Sequence, residues 1–226
     1  MDIHFVQILI EIIVFLFAIS VHESAHAWMA LRNGDPTAYM LGRVTLNPIK
    51  HIDPVGTILV PVLMMFSPLP VLGWAKPTPV NTRNFKNLVR SDVLTSVAGP
   101  ISNFLVALAA VLLLALIALT SREGHSVVQE LARGVAPGSG SVLAPLGIIL
   151  YEAMLINVLL AIFNLIPIPP LDGSHVLRHF LPMTLLRVYD WGGILILITL
   201  MVFPNRFLGM LFLPVIGAAN SLLIRL

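Results

Sequence analysis

FVQILIEIIVFLFAISVHESAHAWMA, residues 5–30, is a long apolar stretch that ends in a knot of ionisable groups. A bilayer span needs about 20 mostly apolar residues, so this stretch is long enough to cross. Gln7 and Glu11 interrupt it lightly, whereas His22, Glu23 and His26 crowd into its C-terminal part. Ionisable groups at membrane depth cost roughly 2.5–3.5 kcal/mol each on insertion scales, so such a group of them needs a compensating use. A cleavable signal peptide is a poor reading, because the stretch lacks a basic leader and a small-residue cleavage site and carries the richest chemistry of the chain.

The rest of the chain agrees with a membrane setting. Of 226 residues, 58% are hydrophobic and only 11% charged, and the mean hydropathy is +0.95. That balance argues against a disordered chain, a basic nucleic-acid-binding domain and almost any water-soluble enzyme. The net charge of +2 is too small for an electrostatic partner, and the absence of cysteine excludes disulfides, thiolate-bound metal and thiol catalysis. Pro54–Ala75, Val93–Ser121 and Phe207–Ile224 contain no charged residue, Gly134–Leu171 has only Glu152, and Leu185–Phe203 has Arg187 and Asp190 near its start. The connections are short. Arg122–Ser141, with Gly134, Pro137, Gly138 and Gly140, has a linker composition.

Within the first stretch, His22-Glu23-Ser24-Ala25-His26 puts two imidazoles four residues apart on one helix face, with a carboxylate beside them. This HExxH arrangement offers two zinc ligands and a general base. Zinc at such a site lowers the pKa of water to about 7 and polarises a carbonyl, and Glu23 is suited to carry the proton from water to the leaving amine. A third ligand must come from elsewhere. Asn164-Leu165-Ile166-Pro167-Ile168-Pro169-Pro170-Leu171-Asp172-Gly173 breaks an apolar segment with prolines and presents Asp172. His175 and His179, themselves four apart, are rival ligands, and residue chemistry alone leaves the choice open.

The histidine pair, Asn164-x-x-Pro167-x-Pro169-x-x-Asp172-Gly173, and Gly99-Pro100-Ile101-Ser102-Asn103 between them together resemble the site-2 protease family of intramembrane zinc metalloproteases. The resemblance implies that His22, His26 and Asp172 ligate a single zinc ion, that Glu23 is the catalytic base, and that Asn164 lies near the scissile bond. Asn103 corresponds to the asparagine of the family's GxxxN motif. It is expected either to serve substrate binding or to pack helices through an interhelical hydrogen bond. There is no room for the PDZ or cystathionine-synthase-like domains of some relatives, and a compact chain without them suggests a prokaryotic cytoplasmic membrane.

Zinc ligation also sets a topological condition. His22 and His26 lie near the end of the first segment and Asp172 just past the end of Ser141–Ile166, so those two ends must face the same side. With Pro54–Ala75 and Val93–Ser121 between them, one of the two cannot cross. Pro54–Ala75 is the better candidate, being rich in proline and flanked by Arg32, Arg43 and Lys50 before and Lys76, Arg83, Lys86 and Arg90 after. Cytoplasmic loops carry the Lys/Arg excess, so the segment is expected to dip in and return, with the active site toward the cytoplasm. The resulting expectation is an all-α integral membrane protein of about five transmembrane helices, one re-entrant segment and a short β element. It forms a single domain over residues 1–226, with a core of 5–30, 93–121 and 141–173 and a closing hairpin, 185–224, turning at Pro204-Asn205.

Leu41–Leu46 reads as a short strand, Val44 and Leu46 alternating with Arg43 and Thr45. Either it or the dipping loop is expected to offer an edge on which an unwinding substrate pairs. Glu11 and Glu152 are read as structural, the latter satisfied by Tyr151 or Asn157. His51 is read as a loop histidine, and Trp74 and Trp191 as interfacial anchors. The function expected is hydrolysis of peptide bonds in or beside transmembrane segments of other membrane proteins, with the lipid bilayer as setting and no nucleic-acid partner. The alternatives are a membrane metal-ion transporter, which should show a relay of ionisable groups in two repeated halves, and a catalytically silent adaptor, which has no need of Glu23.

Overall fold

The structure, a computed structural model, describes residues 3–59, 75–138, 140–202 and 206–226. Its helices are α1 (Ile3–Arg32), α2 (Thr37–Met40), α3 (Leu88–Thr120), α4 (Arg122–Ala132), α5 (Ala144–Leu165), α6 (Asp172–Arg178), α7 (Met183–Val202) and α8 (Arg206–Arg225). Among the described residues four helical stretches are long and apolar enough to cross a membrane: Val6–Arg32, Leu88–Thr120, Ala144–Leu165 and Met183–Leu200. Gly209–Arg225 is a shorter apolar helix. The re-entrant path expected for 54–75 lies outside the described residues beyond the irregular turn Pro54–Leu59, as do Trp74 and the hairpin tip at Pro204-Asn205.

The chain divides into two compact units. The first comprises Met1–Ala18, Asn103–Leu160 and Phe207–Leu226. Its core joins Ala110, Leu114 and Ala118 of α3 to Val128 and Ala132 of α4, Met154 of α5 and Leu223 of α8. Small residues let apolar helices approach closely, which is how helices pack where lipid removes the hydrophobic incentive. The larger side chains of α3, such as Leu105, Leu112 and Leu116, stay exposed on its outer face.

α4 overturns the linker reading of 122–141 in its first half. Ser121 caps the helix by accepting the Gly124 N–H at 2.9 Å, and Glu123 sits in the first turn, where the helix dipole favours an anion. Val127, Val128, Leu131 and Ala132 then recur on one buried face. That helical period outweighs the Gly/Pro punctuation that follows it.

Asn103 is fully buried in this unit, donating to the Ala18 carbonyl at 3.2 Å and to Asn157 Oδ1 at 2.7 Å. Asn157 in turn donates to the Ala153 carbonyl, while Tyr151 donates to Asn220 at 3.2 Å. The partners expected for Glu152 are thus engaged elsewhere. Glu11 accepts from Gln7, one helical turn before it.

The second unit comprises Ile19–Ser102 and Ala161–Arg206. It gathers the end of α1, the start of α3, the end of α5, and α6 and α7. The end of α1 and the start of α3 lie side by side here, with the Lys86 N–H donating to the Asn33 carbonyl at 3.1 Å. Buried Asp35 ties the two ends of the connection 33–87 together, accepting from Thr37 N–H and Oγ1, the Asn81 N–H at 2.7 Å and the Asn84 amide at 2.8 Å. Burial alone would push its carboxyl up; these donated hydrogen bonds instead hold it below the usual range.

No strand forms among the described residues, and Leu41–Leu46 is a turn and bend. The backbone bonds back onto α2, Gly42 N–H to the Tyr39 carbonyl and Arg43 N–H to that of Ala38, rather than sideways to a partner chain segment. Gly42 takes a φ of +65° there. Buried Arg43 reaches the Lys50 carbonyl, and buried His51 donates from Nε2 to the Thr45 carbonyl at 2.9 Å, which fixes the loop in this folded-back form.

Candidate metal centre

The second unit brings His22, His26 and Asp172 together, their ligating atoms all within 4.8 Å of one another. His22 Nε2 lies 3.0 Å from His26 Nε2, and Asp172 Oδ2 lies 3.1 Å and 3.3 Å from them respectively. Both imidazoles are buried. His22 and Asp172 are separated by 150 positions along the chain, so only tertiary packing makes them neighbours.

Each element contributes for a local reason. The imidazoles stack on one face of α1, four residues apart. His26 Nδ1–H donates to the Thr95 carbonyl of α3 at 2.7 Å, which fixes the tautomer and leaves the Nε2 lone pair facing the cluster. Gly99, one turn further along α3, faces both rings: a Cβ there would lie 2.3 Å from His26 Nε2 and 2.7 Å from His22 Nε2. Only glycine leaves the rings this space. Asp172 opens α6 directly after the proline-broken turn, and Gly173 behind it packs so closely that a Cβ would meet the Leu165 carbonyl oxygen at 2.3 Å. α7 braces the same turn, with the Tyr189 hydroxyl donating to the Pro167 carbonyl at 2.9 Å and Gly193 set against the Pro169 ring.

The electrostatics suit a cation. Two imidazoles and one carboxylate form a nitrogen and oxygen donor set of the kind that binds zinc, and Gly99 leaves space for both rings. The residues fit a metal ion.

Glu23 sits half-buried beside the pair. Its Oε2 accepts the Thr78 backbone N–H at 2.7 Å, and the Thr78 hydroxyl donates to the Glu23 carbonyl at 2.9 Å. Thr78 lies between Pro77 and Pro79, which keep the segment extended and free of helix. Sequence reasoning missed Thr78, for which those flanking prolines are the available signal. It missed Thr95 altogether, since a backbone carbonyl leaves no residue signature. His175 and His179, the rival ligands, turn away to Asp92 instead. Asn164 is half-buried in the last turn of α5, and Asn103 belongs to the first unit.

Residues 10–202 match the family described as "Peptidase family M50". Over 171 residues, 76% of this chain, the sequence is 37% identical to the candidate zinc metalloprotease YwhC of Bacillus subtilis, covering 68% of that protein. Over 189 residues, 82% of this chain, it is 30% identical to the candidate zinc metalloprotease Rip2 of Mycolicibacterium smegmatis, covering 64% of that one. No solved structure matches. Since the matched span takes in the histidine pair, the Thr78 segment, Gly99 and Asp172 together, the chain belongs to peptidase family M50, the family of the site-2 proteases.

Proposed function

We propose that the chain is an intramembrane zinc endopeptidase that hydrolyses peptide bonds in, or at the edge of, the transmembrane segments of other membrane proteins. The observation carrying this reading is the meeting of His22, His26 and Asp172 beside the Glu23 carboxylate, at the end of a helix apolar enough to span a bilayer. Those three residues would hold a single zinc ion, and three protein ligands are the donor count of catalytic rather than structural zinc sites. Both relatives carry zinc metalloprotease in their names, which supports the choice of metal. When bound, zinc supplies Lewis acidity toward a peptide carbonyl and toward water, whose pKa it brings to about 7.

The chain's own groups do the rest. Glu23 takes a proton from water as the water oxygen bonds to the peptide carbonyl carbon, and delivers it to the amide nitrogen as the C–N bond breaks. The Thr78 N–H holds Oε2 in place during this transfer and leaves Oε1 to handle the proton. Asn164 is assigned to the substrate backbone near the scissile bond. Asn103, fully buried with its donors spent on Ala18 and Asn157, is assigned to helix packing. Arg32, Arg43, Lys50, Lys76, Arg83, Lys86 and Arg90 all fall in or beside the connection between α1 and α3, which favours a cytoplasmic orientation of that end and of the site.

The test is metal analysis and cleavage of a single-span reporter by protein reconstituted in liposomes. The wild type should bind stoichiometric zinc, lose activity to a chelator and regain it with added zinc. Glu23→Gln should keep the metal and lose hydrolysis, whereas Asp172→Asn should bind zinc measurably more weakly. Persistent turnover by Glu23→Gln, or full zinc retention by Asp172→Asn, would refute the assignment. Metal passage across the liposome without hydrolysis would favour a transporter instead.

A further inference from the structure

His175 and His179 converge on one carboxylate, and that carboxylate stands on the helix that also serves the histidine pair. Asp92, buried in the first turns of α3, offers Oδ2 to His179 Nε2 at 2.8 Å and Oδ1 toward His175 Nδ1 at 3.5 Å. On α3, positions 92, 95 and 99 fall three and four apart and so share a face; on α6 and its C-cap, positions 172, 175 and 179 do the same. One stripe of α3 thus grips α6 at Asp92, accepts the His26 N–H at Thr95, and leaves the gap for both imidazoles at Gly99.

α6 cannot hold itself in place. It has seven residues, and its N-cap, Leu171, supplies no side-chain hydrogen bond. A helix this short has almost no independent stability, so tertiary contacts decide where it sits. Near its start, Gly173 abuts the Leu165 carbonyl; near its end, the two histidines are held by Asp92. The Asp172 carboxylate projects from this mounted helix.

We propose that Asp92 is a positioning residue of the metal centre: by clasping His175 and His179 it fixes α6 and thereby sets where Asp172 meets His22 and His26. This rests on the reading of those three as zinc ligands. Outer contacts that orient ligands typically change metal affinity by about 10–100-fold.

The experiment measures zinc affinity by competition with a chromophoric chelator on full-length protein in detergent, well below its melting temperature. Asp92→Asn and His179→Gln should each weaken zinc about 10-fold or more. Arg178→Gln, which breaks the exposed α6 ion pair to Asp190, should leave affinity unchanged. If Asp92 acts only through Asp172, Asp92→Asn should cost nothing further in an Asp172→Asn background, a non-additivity that mere loss of stability would not produce. Should Asp92→Asn fail to fold, His179→Gln at the less buried partner carries the same test. Wild-type affinity in both Asp92→Asn and His179→Gln, or a full added loss in the double variant, would overturn the positioning role while leaving the ligand assignment intact. A wild type that binds no zinc would overturn both.

Discussion

Gly99→Ala adds a single methyl where α3 faces the two imidazoles, and its consequence can be worked from the geometry. The new Cβ would stand 2.3 Å from His26 Nε2 and 2.7 Å from Cε1 and Nε2 of His22. Comfortable contact begins at about 3.5 Å, so the His26 ring would have to retreat by about 1 Å. It is not free to do so, because Nδ1 is tied to the Thr95 carbonyl at 2.7 Å on the same helix. Overpacking of this kind costs about 1–3 kcal/mol, which corresponds to a zinc affinity about 5- to 150-fold weaker. The helix itself gains, since alanine is roughly 0.8–1 kcal/mol better than glycine in a helix interior. That gain offsets part of the overpacking cost to the fold, so the expected signature is a zinc affinity that falls by more than the modest change in melting temperature explains. Competition with a chromophoric chelator and a thermal melt on the same preparation read both. Wild-type affinity in Gly99→Ala would refute the argument, as would an affinity loss that merely tracks the loss of folded protein.

Thr78→Pro removes the N–H that Glu23 accepts; a hydrogen bond to a charged group is worth about 1.5–3 kcal/mol, so kcat for reporter cleavage should fall about 10-fold or more with zinc content unchanged. Equal kcat would discard the role of Thr78. Asp35, with its carboxyl held low, contributes stability above the ordinary aspartate range that is lost as pH falls through its depressed folded value. Asp35→Asn should accordingly melt lower than wild type at pH 7 and lose less on acidification; parallel melting curves against pH would contradict this. Ser121→Ala removes the cap of α4 and should cost about 0.5–2 kcal/mol of stability without touching zinc affinity, as melts and chelator competition would reveal.

Much of the fold was legible because membrane helices announce themselves by length and hydropathy alone. Residues 5–30 fall within α1, and 93–121 falls within α3 except for Ser121 at its end. α4 was not, because its helical period is short and the glycines after it dominate the local composition. The β element failed for a different reason. Alternation at Arg43–Leu46 states only which side chains could share a face, and the backbone of that loop finds nearer partners in α2. The local chemistry of Glu152 misled in the same way, since Tyr151 donates to Asn220 on another helix and Asn157 to the Ala153 carbonyl one turn back on its own.

What the amino-acid order determined on its own is everything that depends on neighbours along the chain: the apolar spans, the two histidines on one helical face with Glu23 between them, and the proline break that delivers Asp172. What only the tertiary structure decided is which distant group completes the cluster. Asp172, His175 and His179 share one short stretch and compatible chemistry, so composition cannot rank them. The cluster depends on its ligating atoms lying within 4.8 Å of one another, which is set by how α3 receives α1 and α6. Asp92 draws the two histidines aside, Gly99 makes space for the imidazoles, and Asp172 is the group that reaches them.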